Sequence, residues 1–167
     1  MSLRIHNCKE HFGEEVTVGP YTVWAGGIKL DSECLGNVDV LVTLTNRQPF
    51  TYSASDFPDL RLHNLELLDY GGVPEDWADQ VQEIVRMLEE GTRIAMHCEG
   101  GFGRTGTLLA SLVAVLESQE ETPDPVMAIR ERYCYGAVET LSQAEACFAL
   151  RGHQLPRNYP GLRPARG

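Results

Sequence analysis

The chain has 167 residues, 43% of them hydrophobic and 23% charged, with 24 Asp and Glu against 14 Lys and Arg and a formal net charge of −10. That length predicts one domain with a core large enough to stand without disulfide or metal staples, and the apolar fraction excludes a disordered acidic chain. The acidity argues against a protein that coats nucleic acid or an anionic membrane with its whole surface, but not against a small positive pocket.

The first residues, Met1 to His11, contain no apolar stretch of signal-peptide length. The longest apolar run, Leu108 to Leu116, is far short of the ~20 residues that span a bilayer. A cytoplasmic protein without membrane or nucleic-acid partners is expected. The five cysteines (Cys8, Cys34, Cys98, Cys134 and Cys147) are odd in number and lack framework spacing, so free thiols are expected, one of them a candidate nucleophile.

In chain order, residues 15–18 and 21–26 predict two short strands around the Gly19-Pro20 turn. Val38 to Leu44 is β-branched and nearly all apolar, as in a strand buried on both faces. Arg61 to Leu68 predicts another strand, with Asp69 at its C-terminal end and a break at Gly71, Gly72 and Pro74. Trp77, Val81, Ile84, Val85 and Leu88 mark one face of a helix stopped by Gly91. Arg93 to His97 is a short strand, and residues 104–118 form a strongly apolar helix. Two more helices are expected near 124–134, with Asp124 as N-cap, and near 140–152. This alternation predicts a single-domain α/β fold with a mostly parallel central sheet flanked by helices. Residues 1–150 are expected to form the catalytic domain. Residues 151–167 hold three prolines and four arginines with no acid, and read as a C-terminal tail.

The chemistry concentrates in His97-Cys98-Glu99-Gly100-Gly101-Phe102-Gly103-Arg104-Thr105-Gly106, between a strand and a helix. A glycine-rich turn lets backbone N–H groups converge on one point, and the helix end adds free donors and a positive dipole. Together they form an anion cradle made by Glu99, Gly100, Gly101, Phe102, Gly103 and Arg104. Cys98 sits at its mouth, where the same field favours a thiolate. Arg104 can grip two phosphate oxygens, and Thr105 can donate its hydroxyl to the sulfur. Gly101 to Gly106 also matches a dinucleotide-binding pattern, but no later strand with an acidic residue completes it.

The run His-Cys-x5-Arg-Thr-Gly resembles the signature loop of the cysteine-dependent protein tyrosine phosphatases, and the chain length points to their small, dual-specificity-like branch. The resemblance implies hydrolysis of phosphotyrosine in a phosphorylated protein or peptide through a phosphocysteine intermediate, with no cofactor or metal. Phosphoserine and phosphothreonine stay open as further substrates. A phosphoinositide, nucleotide or RNA 5′-end phosphatase and a silent phosphate-binding module are the alternatives. The resemblance also implies an acid about 30 residues before the cysteine. Asp69 is the match, with Asp76 as runner-up, although Asp76 also suits the first turn of a helix. Gln143 matches a residue that positions the hydrolytic water, the alternative being a helix-capping role. Glu139 either orients Arg104 or is a surface acid. His97 is expected to brace the loop, and Phe102 either lines the pocket or packs in the core. His6, Cys8 and His11 form an incomplete metal set, and Cys134 or Cys147 is a candidate partner for an oxidised Cys98. The net charge predicts poor turnover of substrates with acidic neighbours.

Overall fold

A computed structural model of the chain describes residues 10–68 and 71–163. Five strands form one sheet: β1 (Phe12–Val18), β2 (Tyr21–Gly26), β3 (Val40–Thr43), β4 (Arg61–Asn64) and β5 (Ile94–His97), in the spatial order β1-β2-β5-β3-β4. The β1–β2 hairpin is antiparallel, and the other three pairings are parallel. The mostly parallel α/β sheet expected from the alternation of elements is therefore present.

Both central strands, β3 and β5, are buried along their whole length, which explains their nearly continuous apolar sequence. Their side chains still alternate. Val40, Val42, Ile94 and Met96 join the large core, whereas Leu41 and Ala95 join a smaller cluster on the opposite face. Helices α2 (Trp77–Glu89), α3 (Gly103–Leu116), α4 (Pro125–Arg132) and α5 (Leu141–Ala149) contribute to the larger core. The smaller cluster is covered by α1 (Ser32–Gly36) and by Tyr52, Phe57 and Leu60 of the β3–β4 connection.

The five apolar positions expected on one face of α2 are all buried. Trp77 Nε1 donates to Ser111 Oγ at 3.0 Å, which joins α2 to α3. Helix α3 is buried at every position from Gly103 to Ala114, because it runs beneath the other helices rather than along the surface. Asp124 caps α4 by accepting from Met127 N at 2.8 Å.

Three features differ from the sequence expectation. Helix α1 was not expected. It is too short to show a helical period, and it is held by its Asp31 cap, which accepts from Cys34 N at 2.8 Å. Strand β4 ends at Asn64 rather than Leu68, although Leu65 N and Leu67 N still bond Thr43 O and Leu44 O. The segment read as a tail is packed onto the body as far as residue 163. Arg151 donates to the carbonyls of Ala114 and Glu117, and Tyr159 donates to Asp124. Leu155, Tyr159 and Leu162 lie against the core.

Candidate active site

The loop from Cys98 to Phe102 leaves the end of β5 and enters α3. Cys98 is 3% exposed. Its sulfur accepts a hydrogen bond from Gly101 N at 3.2 Å and faces the Thr105 hydroxyl at 3.1 Å. That hydroxyl also lies 3.1 Å from Gly26 O, so the last residue of β2 and the nucleophile candidate share one donor. The loop folds this way only because of its glycines. Gly101 has φ +84°, and a Cβ there would lie 2.8 Å from the backbone of Gly26 and Gly27. Gly106 faces a second close approach, with a Cβ falling 2.7 Å from Ala137 Cβ and Val138 N.

His97 is fully buried, with Nδ1 3.3 Å from Cys98 O and Nε2 3.3 Å from Thr43 Oγ1. A carbonyl only accepts, so Nδ1 carries the proton and Nε2 accepts from Thr43. Burial lowers the His97 pKa to about 4, which keeps the ring neutral at physiological pH. Its position is that of a brace under the loop.

Arg104 lies in the first turn of α3, 6% exposed, and Nη1 donates to Leu67 O at 3.3 Å. That bond ties it to the segment leading to Asp69, which itself lies outside the described residues, as do His6 and Cys8. Asp76 occupies the N-cap position of α2, is exposed and accepts from Gln80 Nε2 at 2.9 Å.

A pocket of about 360 Å³ opens over this loop. Cys98, Glu99, Gly100, Phe102, Gly103 and Arg104 line it, with Glu139 and Arg163 across from them. Gly101 stands behind the wall and contributes its N–H to the sulfur. A larger cavity, about 690 Å³, lies beyond Arg163 against α5, away from Cys98. The smaller one is the candidate site, because it places Cys98 and Arg104 in one wall with the glycine-rich loop.

Glu99 does not project a free negative charge into the cradle. It takes a two-point ion pair from Arg47 and accepts from Thr45 Oγ1 at 3.1 Å, and the Arg47 guanidinium holds its carboxyl below the usual range. Gln143 is drawn into the capping box of α5. Its Oε1 accepts from Glu139 N at 2.8 Å and from Thr140 N at 3.2 Å, the capping arrangement expected of a Thr-x-x-Gln helix start. The Glu139 carboxylate lies against Gly103 at the amino end of α3, where a Cβ on that glycine would meet Oε1 at 2.6 Å.

Several contributors gave no local signal in the sequence. The Tyr133 hydroxyl donates to Gly101 O at 2.6 Å, and burial pushes its pKa up so that it remains a donor. This turns the Gly101 carbonyl away from the sulfur while the N–H points toward it. The His11 ring packs 4.5 Å from Tyr133 and 5.3 Å from Phe102, behind the loop. Buried Arg130 donates to Ala137 O at 3.0 Å, Val138 O at 3.0 Å, Pro160 O at 2.8 Å and Gly161 O at 3.3 Å. It therefore joins the turn that faces Gly106 to the C-terminal segment. Val138, in that turn, has φ +61°, a strained conformation for a β-branched residue.

The expectation of free thiols holds for Cys34, Cys98 and Cys147. It fails for Cys134, which is disulfide-bonded. Burial pushes the thiols of Cys34 and Cys147 up to about 12.

The arrangement of sheet, loop and buried helix is that of the dual-specificity and tyrosine phosphatases. A kinase-associated phosphatase bearing a catalytic cysteine-to-serine substitution has a TM-score of 0.67 at 16% identity, over 86% of this chain and 98% of that one. Tk-PTP in its active form gives 0.62 at 23% identity, over 82% and 95%. PTPMT1 in complex with PI(5)P gives 0.63 at 17% identity, over 84% and 94%. At these identities the likeness is one of fold. Two uncharacterized proteins of Methanocaldococcus jannaschii are 37% and 35% identical over 78 residues, 46% of this chain. The chain spans about half the length of these curated relatives, 50% of one and 46% of the other. Residues 29–117 match the model of the DSP-PTPase phosphatases of polymorphic toxin systems. The chain belongs to that family.

Proposed function

We propose that the protein hydrolyses phosphotyrosine in proteins, with Cys98 as nucleophile and a phosphocysteine intermediate. The observation that carries this reading is the sulfur of Cys98 receiving donors from Gly101 N and Thr105 Oγ1 at the floor of a pocket shared with Arg104. In the first step the Cys98 thiolate attacks phosphorus. The S–P bond forms, the P–O bond to the tyrosyl oxygen breaks, and Asp69 gives that oxygen its proton. Arg104 and the loop N–H groups hold the equatorial oxygens, where charge is spread in the transition state. In the second step the Asp69 carboxylate takes a proton from water, which attacks phosphorus and returns Cys98 as thiolate.

Two features favour an aryl phosphate. Cys98 is nearly out of solvent, so a long side chain reaches it more readily than serine does. Phe102 stands in the pocket wall, where it offers a face to an aromatic leaving group. Gln143 acts in this reading through the α5 cap, which fixes the Glu139–Thr140 backbone beside the pocket. The catalytic unit in this reading extends past residue 150 to take in the packed segment that carries Arg163.

The test compares phosphotyrosine peptides, phosphoserine peptides and phosphoinositide vesicles as substrates. Cys98→Ser should abolish turnover and keep phosphopeptide binding. Asp69→Ala should lower kcat on phosphopeptides by about 100-fold or more. Full activity in Cys98→Ser refutes the mechanism, and turnover of phosphoinositide alone refutes the substrate class.

A further inference from the structure

The chain beyond α5 returns past α4 and carries Arg163 to the edge of the catalytic pocket. Its backbone there is fixed. Arg163 N donates to Glu139 O at 2.6 Å, and Thr140 and Arg163 form a parallel bridge. Just upstream, Arg130 holds the carbonyls of Pro160 and Gly161, and the Tyr159 hydroxyl lies 2.6–2.7 Å from both carboxylate oxygens of Asp124. The Arg163 side chain is exposed, and among the described residues nothing hydrogen-bonds or ion-pairs with its guanidinium.

Arg163 also borders the larger cavity, where Leu141, Leu155, Tyr159 and Leu162 line a groove beside α5. The two cavities thus share this residue as a partition. A polypeptide whose phosphoresidue enters the smaller one and whose chain runs along the larger one passes the guanidinium.

We propose that Arg163 is a specificity-determining residue that selects phosphopeptides with a carboxylate side chain next to the phosphoresidue, on the side that runs toward the α5 groove. The proposal rests on the phosphopeptide reading above and goes beyond it. It reverses the expectation drawn from the net charge of −10. Distant acids are screened within a Debye length of ~8 Å at physiological salt, and the nearer Glu99 is matched by Arg47. The Glu139 carboxylate is turned against Gly103 at the helix end. An incoming carboxylate at the rim therefore meets Arg163, the guanidinium that borders both cavities.

The experiment measures kcat/KM for two phosphotyrosine peptides that differ only by Asp or Asn beside the phosphoresidue. It uses the full chain, Arg163→Gln and Arg163→Glu at low and high salt. The native chain should prefer the Asp peptide by about five-fold, as for one favourable exposed ion pair, and less so at high salt. The preference should vanish in Arg163→Gln and invert in Arg163→Glu. An Asp/Asn ratio that is the same in Arg163→Gln as in the native chain, or a native preference for Asn, overturns the proposal while leaving the phosphopeptide reading in place. Turnover of an aryl phosphate with neither peptide cleaved overturns both.

Discussion

Thr105→Val removes one hydroxyl and almost no volume from a side chain with no exposed surface. The lost group has two acceptors, Cys98 Sγ and Gly26 O, both at 3.1 Å. Its single proton serves one at a time. When the sulfur is anionic the proton belongs there, since a charged acceptor makes the stronger bond. Gly26 O keeps a contact from Cys98 N at 3.4 Å, so the carbonyl is not stranded by the change and the loss falls on the thiolate. A hydrogen bond to a charged group contributes about 1.5–3 kcal/mol, equivalent to roughly 10- to 150-fold in rate. In the proposed mechanism the thiolate is both the attacking group and the group expelled from the phosphocysteine, so both steps should slow. The assay is kcat on a phosphotyrosine peptide, together with the rate of Cys98 inactivation by iodoacetate. Inactivation of Thr105→Val should be slower than that of the native chain, and Thr105→Ser should restore native behaviour. Thermal unfolding near the native Tm guards against misfolding. A folded Thr105→Val with kcat within two-fold of native and an unchanged inactivation rate would refute the role assigned to this hydroxyl.

Three further outcomes follow from the geometry. Burial lowers the folded-state pKa of His97 from the ordinary 6.5 to about 4, so between those values the unfolded chain binds a proton that the folded chain does not. This contribution leaves stability intact above pH 6.5 and subtracts about 3 kcal/mol as pH falls toward 4. Urea titrations across that range should show a shallower slope in His97→Gln, and an unchanged slope would contradict the buried neutral ring. Arg130→Met strips the donor from four carbonyls and should cost about 3 kcal/mol. Proteolysis should then begin within residues 151–163, whereas a change under about 1 kcal/mol would mean that this segment is solvated after all. Iodoacetate at pH 7 should label Cys98 and spare Cys34 and Cys147, whose thiols burial holds protonated. Peptide mapping that finds the label on Cys34 would contradict this.

Much of the loop could be read in advance, because its logic is local. A cysteine, a run of glycines and an arginine within a few residues define a cradle wherever a strand meets a helix. The same holds for α2, whose apolar period survives intact in Trp77, Val81, Ile84, Val85 and Leu88. Hidden features depend on contacts between distant parts of the chain. Tyr133 reaches Gly101, and Arg47 reaches Glu99. Composition misled at the C terminus. Prolines and arginines suggest a solvated tail, yet Arg151 donates to the Ala114 carbonyl of α3, and Arg130 receives the returning chain. Gln143 offered two readings because one side chain can serve a water or a helix cap, and only the fold shows which backbone groups lie within reach.

Where Gly101 meets Gly26 and Gly27, main chain rests directly on main chain. No side chain separates the loop from the sheet at this point, so there is nothing there to trim, enlarge or repack. A side chain at Gly101 has no room at this seam. The adjustable surface is the opposite rim, built by Phe102, Glu139 and Arg163 from three separate stretches of chain. All three line the pocket itself. A library restricted to those three positions should therefore yield folded proteins with altered substrate choice, while one aimed at the glycines should yield almost none that fold.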